Sequence, residues 1–147
     1  MKVHFCRIPS EYYRIYGDYY MLGLYVFTFG VVASAIGIGE LLMPGKAFLL
    51  WKKWAGNRFF FLHGLMLISA GFPLTFYKGV FSTAIFAVGL IIVLTGPFIL
   101  LYPEKVRDMF ETMAAEMPDQ GIQRIVIFEG VIRTMAGMLF ISTKFMG

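Results

Sequence analysis

The chain has 147 residues, of which 59% are hydrophobic and only 15% charged, with a net charge of +4. A soluble domain carries about 25% charged residues, so the mean hydropathy of +0.72 excludes a disordered chain, a collagen-like repeat and a nucleic-acid module. The single cysteine, Cys6, excludes an internal disulfide framework. What remains is a small integral membrane protein.

The N-terminal stretch, residues 1–19, mixes acidic and basic residues ahead of the first apolar run and shows no cleavable leader pattern. Tyr12, Tyr13, Tyr16, Tyr19 and Tyr20 fall on one face of a helix. Tyrosine suits the membrane interface, with an apolar ring and a wet hydroxyl. The spacing predicts an interfacial helix leading into the first span, whose aromatic face could also dock a partner.

Three charge-free runs follow: Tyr19–Gly39, Phe59–Tyr77 and Gly79–Pro103, of 21, 19 and 25 residues. Each is long enough to cross a bilayer core about 30 Å thick. A fourth apolar stretch, about Ile122–Thr143, contains Glu129 and Arg133 and is read as a fourth span that tolerates two charges. After Pro44, an i, i+3, i+4, i+7 stripe of Ala47, Leu50, Trp51 and Trp54 alternates with Lys46, Lys52 and Lys53. After Pro103, Val106, Met109, Phe110, Met113 and Met117 form a second stripe. Both are predicted to be short amphipathic helices in the headgroup plane.

The chain repeats itself. A shift of 59 residues places Gly30 on Gly89, Gly37 on Gly96, Pro44 on Pro103 and Lys46 on Lys105. Beyond the amphipathic segment a shift of 66 places Arg58 on Arg124, Gly64 on Gly130, Ala70 on Ala136 and Gly71 on Gly137. All four predicted spans thus carry two glycines seven apart, nearly on one helical face, where neighbouring backbones can approach closely. The expected architecture is all-α: four transmembrane helices forming two tandem hairpins, 20–78 and 79–147. Each hairpin carries an interfacial helix at its turn, and a pseudo-twofold axis along the membrane normal relates the two.

The unit resembles a known family. A span ending in Leu-Leu-Tyr-Pro-Glu-Lys, here Leu100–Lys105, precedes an amphipathic stretch, an arginine and a glycine-containing span. This pattern is similar to the YjeT-like family of very small two-helix bacterial inner-membrane proteins. The resemblance implies a fused tandem pair in a bacterial inner membrane, and no activity or functional residue.

The connections Lys46–Arg58 and Glu104–Arg124 hold seven basic residues against five on the opposite side. The positive-inside rule then puts them in the cytoplasm and the termini outside.

Arg133 lies near the middle of the fourth predicted span. An arginine there needs a partner, and Glu129 sits four residues earlier on the same face. His63 occupies the matching place in the first copy, and Glu40 ends the first span on the same membrane side. Glu40, His63, Glu129 and Arg133 are therefore expected to form one polar cluster. It would hold the bundle together, contact a partner, or form part of a proton or ion path.

No paired histidines for haem, no four-ligand metal set and no nucleophile, phosphate-loop or redox motif is present in the sequence. The ten methionines are expected to serve packing. No cofactor is expected beyond structural lipid. The expected role is non-catalytic: an accessory or scaffold subunit of a larger membrane complex. Its partners would be other membrane subunits and lipids, and its docking residues the N-terminal tyrosines with Trp51 and Trp54. The alternative is a small homo-oligomeric transporter or channel using Glu129 and Arg133.

Overall fold

A computed structural model describes the backbone of residues 10–146 and the side chains of residues 20–146. Among them are six helices and no strand: α1 (Ser10–Leu42), α2 (Pro44–Ala55), α3 (Phe61–Leu74), α4 (Ser82–Leu101), α5 (Pro103–Glu116) and α6 (Asp119–Met146). Three are long and apolar enough to cross a membrane: α1 over Tyr20–Leu42, α4 and α6.

The remaining predicted span is shorter than expected. α3 has 14 residues, about 21 Å at 1.5 Å per residue, less than a bilayer core. The charge-free run around it begins and ends in tighter turns. The amide of Phe60 bonds to the Asn57 carbonyl and that of Tyr77 to the Leu74 carbonyl, i→i+3 geometry rather than α-helix.

The N-terminal segment also differs from expectation. The helix runs without a break from Ser10 into the first span, so among the described residues no separate interfacial helix precedes it. The side chains of Tyr12, Tyr13, Tyr16 and Tyr19 lie outside the described residues. Tyr20 is exposed.

The two amphipathic helices start at Pro44 and Pro103. Proline lacks the N–H that a first-turn residue would leave unsatisfied anyway, so it ends one helix and opens the next. α5 turns inward much of its predicted stripe, burying Val106 and half-burying Phe110, Met113 and Met117 while Met109 stays exposed. α2 buries Phe48 and Ala55, which lie largely off the predicted stripe, and leaves Leu50 and Trp54 of that stripe exposed.

Helix pairing is the main departure. The expected hairpins would pack α1 on α3 and α4 on α6. Instead α1 packs along α6 and α3 along α4, with only sparse contact between α1 and α3. The glycines let both seams close. A Cβ on Gly30 would lie 2.8 Å from the Gly137 carbonyl oxygen, and one on Gly130 3.0 Å from that of Gly37. In the other pair, a Cβ on Gly64 would meet the Gly96 carbonyl at 2.5 Å, and one on Gly71 the Gly89 carbonyl at 2.9 Å. Backbone meets backbone in both antiparallel seams, which only glycine permits.

The two pairs join at their ends. Val26, Leu74, Ile85 and Phe140, one from each long-seam helix, form a buried cluster, and the Tyr25 hydroxyl donates to the Ala70 carbonyl at 2.7 Å. At the other end Ala55, Phe60, Ile99 and Val106 form a second cluster, and Phe48, Ile122 and Val126 a third. These place α2 and α5 as a cap across one end of both helix pairs.

Candidate functional site

The polar cluster forms where α1, α2 and α6 meet. Glu40 is buried, 2% exposed, because the next residues turn the chain into α2 and fold that helix back over it. The indole N–H of Trp51 donates to Glu40 Oε1 at 3.0 Å. Arg133 reaches the same oxygen at 3.2 Å and pairs with Glu129, one turn earlier on α6. Its guanidinium also lies 5.5 Å from the centre of the Trp51 ring, a cation–π distance.

A buried carboxylate is tolerated only when paired and hydrogen-bonded. Glu40 meets this with two donors on one oxygen, whereas its Oε2 has no partner among the described residues. Glu129 is different: its side chain is 52% exposed, and that of Arg133 26%. The pair opens outward from a core anchored by Glu40.

His63 is close by but does not join the ion pairs. It stacks on Phe60, with ring centres 5.8 Å apart, and packs against Trp51 and Trp54 at 6.2 and 6.4 Å. It meets the cluster through the Trp51 ring. So Glu40, Glu129 and Arg133 come together, and His63 lines the aromatic side of Trp51.

Arg133 is not level with the middle of α1's apolar stretch. A Cβ on Gly37 would lie 2.8 Å from the Thr134 amide nitrogen, so Arg133 is level with a point about five residues before the end of α1. That is about 8 Å from the α2 end, from which the long arginine side chain extends to Trp51. α6 has 28 residues, and its first two turns hold Asp119, Gln120, Gln123 and Arg124. The middle of this helix is therefore not the middle of the span.

The amphipathic stripe predicts a headgroup-level docking role for Trp51; the fold makes it the donor to Glu40. Ser34 and Thr134 also gain a role. Each sits over a glycine of the opposite helix, Ser34 over Gly137 and Thr134 over Gly37, and both hydroxyls are buried without a partner among the described residues. Their spacing is a signal in the sequence: Gly30, Ser34, Gly37 and Gly130, Thr134, Gly137 are both i, i+4, i+7 rows of small residues. In the α3–α4 seam the equivalent places hold Val93, over Gly71, and Ile68, over Gly96.

Among the described residues, no group of three or more histidine, cysteine, aspartate or glutamate side chains could hold a metal ion. Glu40, Trp51, Glu129 and Arg133 form an ion-pair and hydrogen-bond network on a helical scaffold with three helices able to span a membrane. Comparison with protein-family models, curated proteins and solved structures finds no match to this chain.

Proposed function

We propose that this chain is a non-catalytic accessory or scaffold subunit of a larger complex in a bacterial inner membrane. The observation that carries the reading is the position of Glu129. This half-exposed carboxylate emerges on an outward apolar face made by Ile125, Phe128 and Ile132, all exposed. Glu129 lies one turn nearer the α2 end than Arg133, at about the level of Leu41, and a partner helix seated on this apolar face would cover both the carboxylate and the open side of Arg133. The exposed Trp54 and Tyr20 are further candidate contacts.

The transporter or channel reading has less support. A conducting path needs polar groups through the bilayer thickness. Here the ionisable groups gather within about two turns of the α2 end, and beyond Arg133 the next charge on α6 is Lys144.

The reading includes four crossings and a tandem duplication. The support for the α3 crossing is the 19-residue charge-free run Phe59–Tyr77 in which the 14-residue helix sits, a length that suits a bilayer core. The duplication is supported by the buried cluster of Val26 with Ile85 and Leu74 with Phe140, pairs that the 59- and 66-residue shifts relate. The bacterial membrane rests on the resemblance of Leu100–Lys105 to the YjeT-like pattern, and the basic connections favour a cytoplasmic α2–α5 side.

The test is the native mass of the chain extracted from its own membrane in mild detergent, with each co-purifying protein identified. A stoichiometric membrane partner, lost from Glu129→Lys, is the expected result. A lone monomer or homo-oligomer overturns the proposal and redirects effort to transport assays.

A further inference from the structure

On the cap, α2 and α5 enclose a groove of about 390 Å³ lined by Leu49, Lys52, Lys53, Arg107, Phe110 and Glu111. It lies away from the Glu40 cluster and serves none of its contacts. Lys52, Lys53, Arg107 and Glu111 line it, and a second carboxylate, Glu104, pairs with Arg107 at the rim, which leaves an excess of one positive charge. Lys52 and Lys53 occupy the last turn of α2, where the helix dipole favours positive charge. Arg107 is held at the rim by two acceptors, the Ala55 carbonyl at 3.5 Å and Glu104 at 3.0 Å. Its guanidinium is thus positioned before any ligand arrives.

The apolar part of the groove is as informative as the charge. Leu49 and the neighbouring Leu50 and Trp54 are exposed, and Phe110 is backed by Phe48 at a ring separation of 6.0 Å. Exposed leucines beside a tryptophan and lysines are the composition of a headgroup-level surface. A soluble anion would use the cations and leave the apolar wall idle. An acidic peptide would leave the exposed leucines uncovered.

We propose that this groove binds an anionic phospholipid, with its phosphate facing Lys52, Lys53 and Arg107 and its proximal acyl chain on Leu49 and Phe110. The inference rests on the reading of the chain as a membrane protein. A bound lipid would link α2 to α5, and so tie together the two helix pairs that these helices cap.

The test is native mass spectrometry of the full chain in neutral detergent, titrated with phosphatidylglycerol, with phosphatidylcholine of the same chains, and with glycerol phosphate. The expected result is one tightly held phosphatidylglycerol, preferred over phosphatidylcholine by roughly tenfold or more, given about a tenfold effect for each one or two basic groups near an anionic headgroup. Lys52→Gln/Lys53→Gln/Arg107→Gln should abolish the preference, and Lys52→Arg/Lys53→Arg should keep it. Lys46→Gln/Arg124→Gln, which removes two exposed basic residues outside the groove, should leave it unchanged.

Equal loss in that control, or no preference for the anionic lipid, overturns the proposal. Glycerol phosphate binding as well as the lipid also overturns it, because the acyl contact then contributes nothing. Helical circular dichroism and elution volume verify that the triple variant is folded. Reconstitution into neutral vesicles separates the two readings: a chain that fails to insert there refutes the membrane reading itself, whereas one that inserts without lipid preference refutes only the groove.

Discussion

Arg133 of α6 and Glu40 of α1 form an ion pair between two helices, 3.2 Å apart, in which the carboxylate is buried and the guanidinium is partly open. The two ends of this pair are therefore unequal. Removing Arg133 strands a buried charge, a loss of about 3–5 kcal/mol where pairing is complete. Arg133→Leu is expected to lower the unfolding midpoint in detergent markedly. Glu40→Gln/Arg133→Leu, which leaves no charge to strand, should recover much of the loss. Glu129→Gln removes only a half-exposed i,i+4 partner and should change stability by less than about 1 kcal/mol. Equal effects of Arg133→Leu and Glu129→Gln would contradict the anchoring role of Glu40.

The indole of Trp51 supplies the second donor to Glu40. Trp51→Phe keeps a ring beneath Arg133 and removes the N–H, so it should cost about 1.5–3 kcal/mol as a lost hydrogen bond to a charged group. Trp54→Phe, whose indole makes no such bond among the described residues, should be close to neutral. Thermal unfolding of the two variants side by side checks this.

The glycines divide into two groups. Adding a methyl group at Gly37 or Gly64 pushes it against backbone atoms of the facing helix, so Gly37→Ala and Gly64→Ala should each destabilise by about 1–3 kcal/mol. Nothing lies within 4 Å of a Cβ added at Gly23 or Gly39. There the same change should stabilise by up to about 1 kcal/mol, through helix propensity alone. Equilibrium unfolding of the four single variants decides the matter, and a uniform response would remove the case for close-packed seams.

The Tyr25 hydroxyl joins the two helix pairs through the Ala70 carbonyl. Tyr25→Phe should cost about 0.5–1.5 kcal/mol while leaving helix content unchanged. Amide exchange should rise first in α3, which receives that bond, and a rise confined to α6 would argue against the link.

The α3 region can be placed relative to the bilayer with single cysteines. In a Cys6→Ser background, Arg58→Cys and Lys78→Cys bracket the apolar run. A crossing predicts that an impermeant maleimide added to sealed inverted vesicles labels the Arg58→Cys chain and spares the Lys78→Cys chain. In right-side-out cells the order reverses. Labelling of both variants from one side would make α3 re-entrant and leave three spans.

The amino-acid sequence alone was sufficient for the helical class, the positions of α2 and α5, and the meeting of Glu129 with Arg133. These follow from local causes: apolar run length, proline at a helix start, and an i,i+4 spacing. Glu40 was also legible, because it ends the first span on the same membrane side as Glu129 and Arg133. His63 was not, because its place in the repeat matches Glu129, while its neighbours, Trp54 and Phe60, flank a turn that periodicity does not describe.

Pairing was decided only by the tertiary structure. Four helices with the same glycine spacing can be zipped in several ways, and that spacing alone carries no preference among them. The choice of α1 with α6 and α3 with α4 rests on which side chains stand over the opposing glycines, Ser34 and Thr134 in one seam and Ile68 and Val93 in the other. The same choice sets the depth of Arg133, since α1 ends near it, and turns Trp51 inward to Glu40. Composition and periodicity determine which segments are helices and which are apolar; the contacts between their backbones determine which helices meet.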